Sequence, residues 1–172
     1  MRQIEYRMIV GLHGFSLVEL MVTILISAIL LMVAVPAFND AVLGSKLSAL
    51  ANNFVASSNL ARSEAIKRNA VVTLCASTNG TSCASGNWQQ GWVMLSGTTV
   101  IQSQPAAPTG FLMVDASAVN SMSFQPTGVG TTQVTLTVCR ATPTVGSDKR
   151  VVTVSATGHA SVTRGTTNGV CP

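Results

Sequence analysis

Cys75, Cys83, Cys139 and Cys171 are the side chains of this sequence best able to form a covalent link or hold a metal. Zinc sites take cysteine pairs about two to four residues apart, often with histidine beside them. Seven residues separate Cys75 from Cys83 and no histidine is near, so disulfides are the first reading and zinc the competing one. Four cysteines allow three pairings. The favoured one is Cys75–Cys83, closing the polar loop ASTNGTS, with Cys139–Cys171 tying the C-terminus to a strand. Catalysis needs convergent acids, bases or nucleophiles. Beyond residue 14 the sequence has a single histidine, His159, and the carboxylates Asp115 and Asp148 lie far apart along it. No G-x-S-x-G pattern supplies a nucleophile and no phosphate-binding glycine loop precedes a helix. The expectation is a protein that is not an enzyme and that carries no cofactor and no metal. Glu19 differs from the other acids because it stands inside an apolar run. Ser16-Leu17-Val18-Glu19 has the capping-box pattern, in which both side chains satisfy backbone N–H groups at a helix start. A carboxylate in apolar surroundings is also costly unless paired, which points to a functional partner.

The element that carries Glu19 is residues 14–35, GFSLVELMVTILISAILLMVAV. About 20 apolar residues at 1.5 Å rise cross the ~30 Å hydrocarbon core of a bilayer, so this stretch is expected to insert as a helix. Arg2 and Arg7 precede it, and positive charge there favours a cytoplasmic N-terminus. The chain beyond the helix is then translocated, which places the cysteines in an oxidising compartment. A secretory signal would show its small-residue cleavage site after the apolar core, whereas Gly14 stands before it.

After Pro36, Leu43, Leu47, Leu50, Phe54, Ala61 and Ala65 lay one apolar stripe along a helix that reaches about Arg68. From Phe15 that makes one helix of roughly 50 residues and ~80 Å. Pro36 and Gly44 are its weak points, where a kink or local melting is expected. From Val71 the period shortens to alternation. Residues 71–74, 91–95, 133–138 and 150–154 are rich in β-branched side chains and read as strands of one antiparallel sheet. Val134, Leu136 and Val138 should face its core, with Thr135 and Thr137 outward. Residues 103–110 and 141–149 read as exposed loops. Trp92, within a strand, reads as core, while Trp88 is either core or an exposed stacking platform. The expected class is α+β: a long N-terminal helix, half membrane-spanning and half amphipathic, packed on an antiparallel β-sheet head.

Only 9% of the residues are charged. Beyond Pro36 eight Lys or Arg stand against four acids, a mildly basic balance that permits a polyanion partner without requiring one.

Gly14-Phe15-Ser16-Leu17-Val18-Glu19 resembles the processing site of type IV prepilins and type II secretion pseudopilins. The resemblance implies cleavage after Gly14 by a prepilin peptidase and methylation of the new N-terminal Phe15. It also implies a role for Glu19 in assembly, against the amino group of Phe15 on the same or a neighbouring subunit. Leu60-Ala61-Arg62-Ser63-Glu64-Ala65, Val72-Thr73-Leu74-Cys75, Trp88 and Gly91-Trp92-Val93 resemble the GspH/FimT family of minor pilins and pseudopilins, from the leader to about Leu95. The implied organisation is a leader over 1–14, a transmembrane helix over 15–35, its amphipathic continuation over 36–69 and a β-rich periplasmic head over 70–172, in a type IV pilin-like fold. Such a protein is held in the inner membrane by a single pass and joins other major and minor pilins in a filament. The implied function is that of a minor pilin priming or capping a type IV pilus. The alternatives are the H-type minor pseudopilin of a type II secretion system and a DNA-binding minor pilin for natural transformation. In the DNA-binding relatives a C-terminal G-R-x-R segment is involved. The corresponding Gly158-His159-Ala160-Ser161 lacks both arginines, which leaves Lys149, Arg150 and Arg164 as candidate DNA contacts. Three cations would give weak, strongly salt-dependent binding, and His159 adds charge only at mildly acidic pH.

Overall fold

Residues 14–141, 148–166 and 171 are described by a computed structural model. Apart from Gly14, the leader expected over 1–14 lies outside them, as do residues 142–147 of the loop expected at 141–149. The chain divides into two units after Asn39.

In the first unit the described residues are almost all helix. Helix α1, Leu17–Arg68, begins here, and none of its most apolar eighteen residues is buried. By length and composition it is the one described helix able to cross a membrane. Ser16 starts it: the Glu19 backbone N–H donates to Ser16 Oγ at 3.2 Å, one half of the capping box. The chain remains helical through Pro36 and Gly44, so the local melting expected there is absent. Proline removes one hydrogen bond, and the bonds on either side carry the helix past it.

In the second unit the remaining turns of α1 bury Leu47, Ala51, Phe54, Ser57, Ser58, Ala61 and Ala65, a stripe at helical spacing. Eight strands come after it: β1 (Val72–Ala76), β2 (Trp92–Ser96), β3 (Thr99–Gln104), β4 (Phe111–Asp115), β5 (Ser121–Phe124), β6 (Val134–Arg140), β7 (Asp148–Val154) and β8 (Ala160–Thr166). The head is built on two antiparallel sheets of four strands, ordered β3-β2-β1-β5 and β4-β6-β7-β8, where one sheet was expected. Alternation reveals that a segment is a strand but not which neighbour it pairs with. The chain leaves the first sheet after β3, forms the edge of the second as β4, and returns as β5 to lie beside β1. Residues 103–104, read as loop, close β3, and residues 148–149 open β7.

The inner faces are apolar at every second position. On β6 Val134, Leu136 and Val138 are fully buried while Thr135 is exposed. With Leu74, Met94, Met113, Met122, Phe124, Val152 and Val154 they join the helix stripe in one hydrophobic cluster. Both tryptophans belong to it. Trp88, in a short 3-10 turn before β2, is 1% exposed, so it offers no stacking platform. Phe54 meets the rings of Trp88 and Trp92 edge-on at 4.9 and 5.5 Å. Each indole N–H finds an acceptor, Val119 O for Trp88 and Ser57 Oγ for Trp92, as burial requires.

Candidate functional site

Gly14 and Phe15 precede the first turn of α1 and are exposed, Phe15 at 75%. A Cβ built at Gly14 meets nothing within 4 Å, so the peptide bond between Gly14 and Phe15 is unobstructed by the described residues. Three polar side chains then stand at helical spacing along the apolar stretch: Glu19, Thr23 and Ser27. Thr23 Oγ1 donates to Leu20 O at 2.8 Å and Ser27 Oγ to Thr23 O at 2.7 Å, so both hydroxyls are satisfied within the helix itself. Glu19 is not. Its backbone N–H is capped by Ser16, but among the described residues its carboxylate has no hydrogen-bond or ion-pair partner. In a hydrocarbon setting, where water is not available, that carboxylate needs a cation from elsewhere. The reach of the site therefore ends at one unpaired acid, one turn beyond the end that a cut after Gly14 would create.

The cysteines lie in the head as two disulfides, Cys75–Cys83 and Cys139–Cys171, with Cα atoms 5.5 and 5.8 Å apart. The first closes a loop held by its own polar groups: Asn79 Oδ1 accepts from the Thr81 and Ser82 N–H groups, and Gly80 N–H donates to Ser77 Oγ. No group of three or more His, Cys, Asp or Glu side chains among the described residues could hold a metal.

The three candidate DNA contacts do not form one patch. Arg150 pairs with Arg164 across β7 and β8, whereas Lys149 pairs with Gly165. Neighbours along a strand point to opposite faces, so Lys149 lies on the other side of the sheet, with its stem over Gly165. Arg150 is only 5% exposed; its Nε donates to Ser48 Oγ at 3.2 Å and Nη1 to Lys149 O at 3.1 Å. A cation buried in that way is not displayed to an extended polyanion such as a duplex, and alternation in β7 separates side chains that adjoin along the sequence. His159 is exposed in the turn before β8, its backbone N–H on Ser155 Oγ. Asp115 is committed elsewhere, accepting N–H bonds from Ser117, Val119 and Thr135, so no catalytic group of His159 with Asp115 is assembled.

Sequence reasoning missed a charged cleft in the head. About 360 Å³ in volume, it is lined by Asp40, Ala41, Gly44, Ser45 and Ser48 of α1 and by Asp148, Arg150 and Arg164 of β7 and β8. The signal in the sequence was the helical spacing of Asp40, Gly44 and Ser48, a row of small and polar residues that runs beside the apolar stripe. A second, neutral cleft of about 340 Å³ lies beside the Cys75–Cys83 loop, between Ser77–Gly80 and the end of β3.

Comparison with known proteins agrees with this arrangement. The family described as "Type II transport protein GspH" matches residues 50–158, and the prokaryotic N-terminal methylation motif matches residues 13–35. Two crystal forms of the type IV minor pilin FimU of Pseudomonas aeruginosa (strain PAO1) share the fold. One has a TM-score of 0.56 at 20% identity, covering 69% of this chain and 89% of that one. The other has a TM-score of 0.52 at 21% identity, covering 68% and 92%. No curated protein matches this chain.

Proposed function

This chain belongs to the GspH family, and from that premise we propose that it is a minor pilin, cut after Gly14 and built into a type IV pilus to prime or cap it. The observation that carries the reading is the unpaired Glu19 carboxylate, one turn inside an exposed apolar helix and five residues after the proposed cut. Cleavage would place a new cationic amino group on Phe15, and methylation there would leave it a cation. During assembly that amine, on a neighbouring subunit or its own, is the partner the acid lacks, and the pairing would fix the axial register of one helix against the next. The prepilin peptidase, the inner membrane and the other pilins of the filament are the partners this requires, with the head in the periplasm until the subunit is extracted. A likeness in fold to the minor pilin FimU supports the pilus version.

The family description favours a second reading, the minor pseudopilin of a type II secretion system. Both readings share the processing chemistry and differ in the filament that takes the subunit up. Mass spectrometry of the mature N-terminus tests the shared part: Gly14→Ala is expected to leave the leader attached. A variant chain that still begins at Phe15 would overturn it. Glu19→Ala is expected to be cut normally yet to be lost from purified filaments by tenfold or more, the scale of one charge-assisted bond in apolar surroundings, roughly 1.5–3 kcal/mol. Incorporation of Glu19→Ala at the wild-type level would remove the acid from the assembly mechanism.

A further inference from the structure

The cleft between the start of the head's helical segment and the ends of β7 and β8 carries two cations and two acids that do not pair with one another. No ion pair within 4.0 Å joins Arg150 or Arg164 to Asp40 or Asp148 among the described residues. Arg150 is buried to 5% exposure with only neutral oxygens as partners, and a buried charge without a counter-charge is costly. Asp148 and Arg150 are two residues apart on β7 and so share a face, with Arg164 directly across from Arg150.

Gly44 adds an independent observation. Glycine inside a helix costs up to about 1 kcal/mol relative to alanine, so it needs a reason. Crowding within the chain supplies none: a Cβ built there meets no atom within 4 Å beyond the helix's own nearby backbone. The room lies on the cleft, where an outside group can approach the helix backbone closely.

We propose that this cleft binds the headgroup of a zwitterionic phospholipid, with the phosphate between Arg150 and Arg164 and the ammonium against Asp40 and Asp148. Equal numbers of opposite charges suit a ligand that carries both signs, whereas a purely anionic ligand would meet two repelling carboxylates. Ser45 and Ser48 add hydroxyls for the phosphate oxygens. Asp40 lies five residues beyond Val35, the end of the apolar run, a tether of at most about 18 Å even when fully extended. The cleft is thereby bound to the neighbourhood of the bilayer surface while the subunit waits in the membrane. The inference rests on the membrane-anchored part of the reading above.

The test uses the full chain in alkyl maltoside micelles, titrated with dihexanoyl phosphatidylethanolamine and followed by phosphorus NMR. Saturable binding is expected, with dihexanoyl phosphatidylglycerol, which lacks the ammonium, about tenfold weaker. Gly44→Ala and Arg164→Gln should each weaken binding about tenfold at unchanged helix content, since alanine favours the helix and Arg164 is exposed. Free phosphoethanolamine should compete, which would assign the binding to the headgroup. Inorganic phosphate competing equally well would reduce the cleft to an oxyanion site and overturn the proposal. Binding unaffected by either variant would mean adsorption to the apolar helix and would also overturn it. So would a Gly44→Ala chain that binds lipid normally but no longer enters filaments, because the glycine would then serve a neighbouring helix. The assembly reading fails separately: lipid bound as expected by a chain never cut after Gly14 leaves the cleft standing without it.

Discussion

Asp115 is buried to 7% exposure, and its carboxylate joins the end of β4 to the start of β6 by accepting the N–H groups of Ser117 at 2.8 Å, Val119 at 3.3 Å and Thr135 at 2.7 Å. Truncation strands those donors, and an unsatisfied buried group costs about 1–3 kcal/mol. Asp115→Ala is expected to lower stability by about 3 kcal/mol, read as a lower urea midpoint at unchanged slope, and Asp115→Asn by less because it keeps one acceptor. A wild-type midpoint for Asp115→Ala would show that water reaches those donors. Sequence offered Asp115 only as a conceivable catalytic acid. Its actual role was not legible, because one of the donors it meets is twenty residues away and nothing in the spacing links them. Glu64 is the opposite case, a helix-surface acid that a four-residue spacing does reveal. Its carboxylate accepts from Arg68 Nε at 2.6 Å, with Lys67 at 3.5 Å. The hydrogen bond from Arg68 is the largest effect and holds its pKa below the ordinary 4.5; burial, the next largest, opposes it, and the charges of Lys67 and Arg68 add to the lowering. A carboxyl with a lowered folded pKa stabilises the fold above 4.5, and that contribution fades as the pH falls through its folded value. Glu64→Gln should flatten that limb of the acid unfolding curve, and an unchanged limb would show that the pair is screened in solution.

At the scale of elements, the helix was the most legible part, since its apolar stripe of Leu47, Phe54, Ala61 and Ala65 repeats over several turns and each of these is fully buried. Strands with two-sided constraint, such as β6, were equally clear. The ones missed are edge strands: in β3 and β8 exposure on one side weakens the alternation that marks a strand, whereas β5 alternates but is only four residues long. The missed β4 is an edge strand too, although its inward positions, Phe111, Met113 and Asp115, are buried. The two disulfides hold elements of different reach. Cys75–Cys83 spans 8 residues and Cys139–Cys171 spans 32, and the chain-entropy model assigns about 2.5 and about 3.7 kcal/mol to loops of those lengths. Cys171→Ser should therefore lower the melting temperature more than Cys83→Ser, and titration of the denatured wild-type protein should find no free thiol. The reverse order of melting temperatures would mean that the C-terminal tether adds little, and that the internal hydrogen bonds of the short loop depend on its bridge.

At the scale of the whole molecule, the methylation motif and a helix apolar and long enough to cross a membrane were readable because each is carried by one contiguous stretch of sequence. The head's binding surfaces were not, because a patch is made by register between strands and by which face each side chain takes. Lys149, Arg150 and Arg164 look like one cationic group along the sequence, yet the pairing of β7 with β8 sends Lys149 to one face and the two arginines to the other, beside Asp40 and Asp148. Net charge then overstates the attraction for a polyanion. A surplus of positive charge steers a phosphate backbone only when the cations share a surface, and each phosphate neutralised adds to the steepness of the salt dependence. The hydrophobic cluster is contained in residues from Leu43 onward, so a fragment beginning at Asp40 should fold cooperatively without the apolar run. With duplex DNA, that fragment is expected to show at most weak binding at about 50 mM salt and none that saturates at about 150 mM, with a slope no steeper than two phosphate contacts allow. Saturable binding at the higher salt that is lost in Lys149→Gln and Arg164→Gln would show both faces engaging one duplex, and would favour a nucleic-acid receptor over the filament role proposed above.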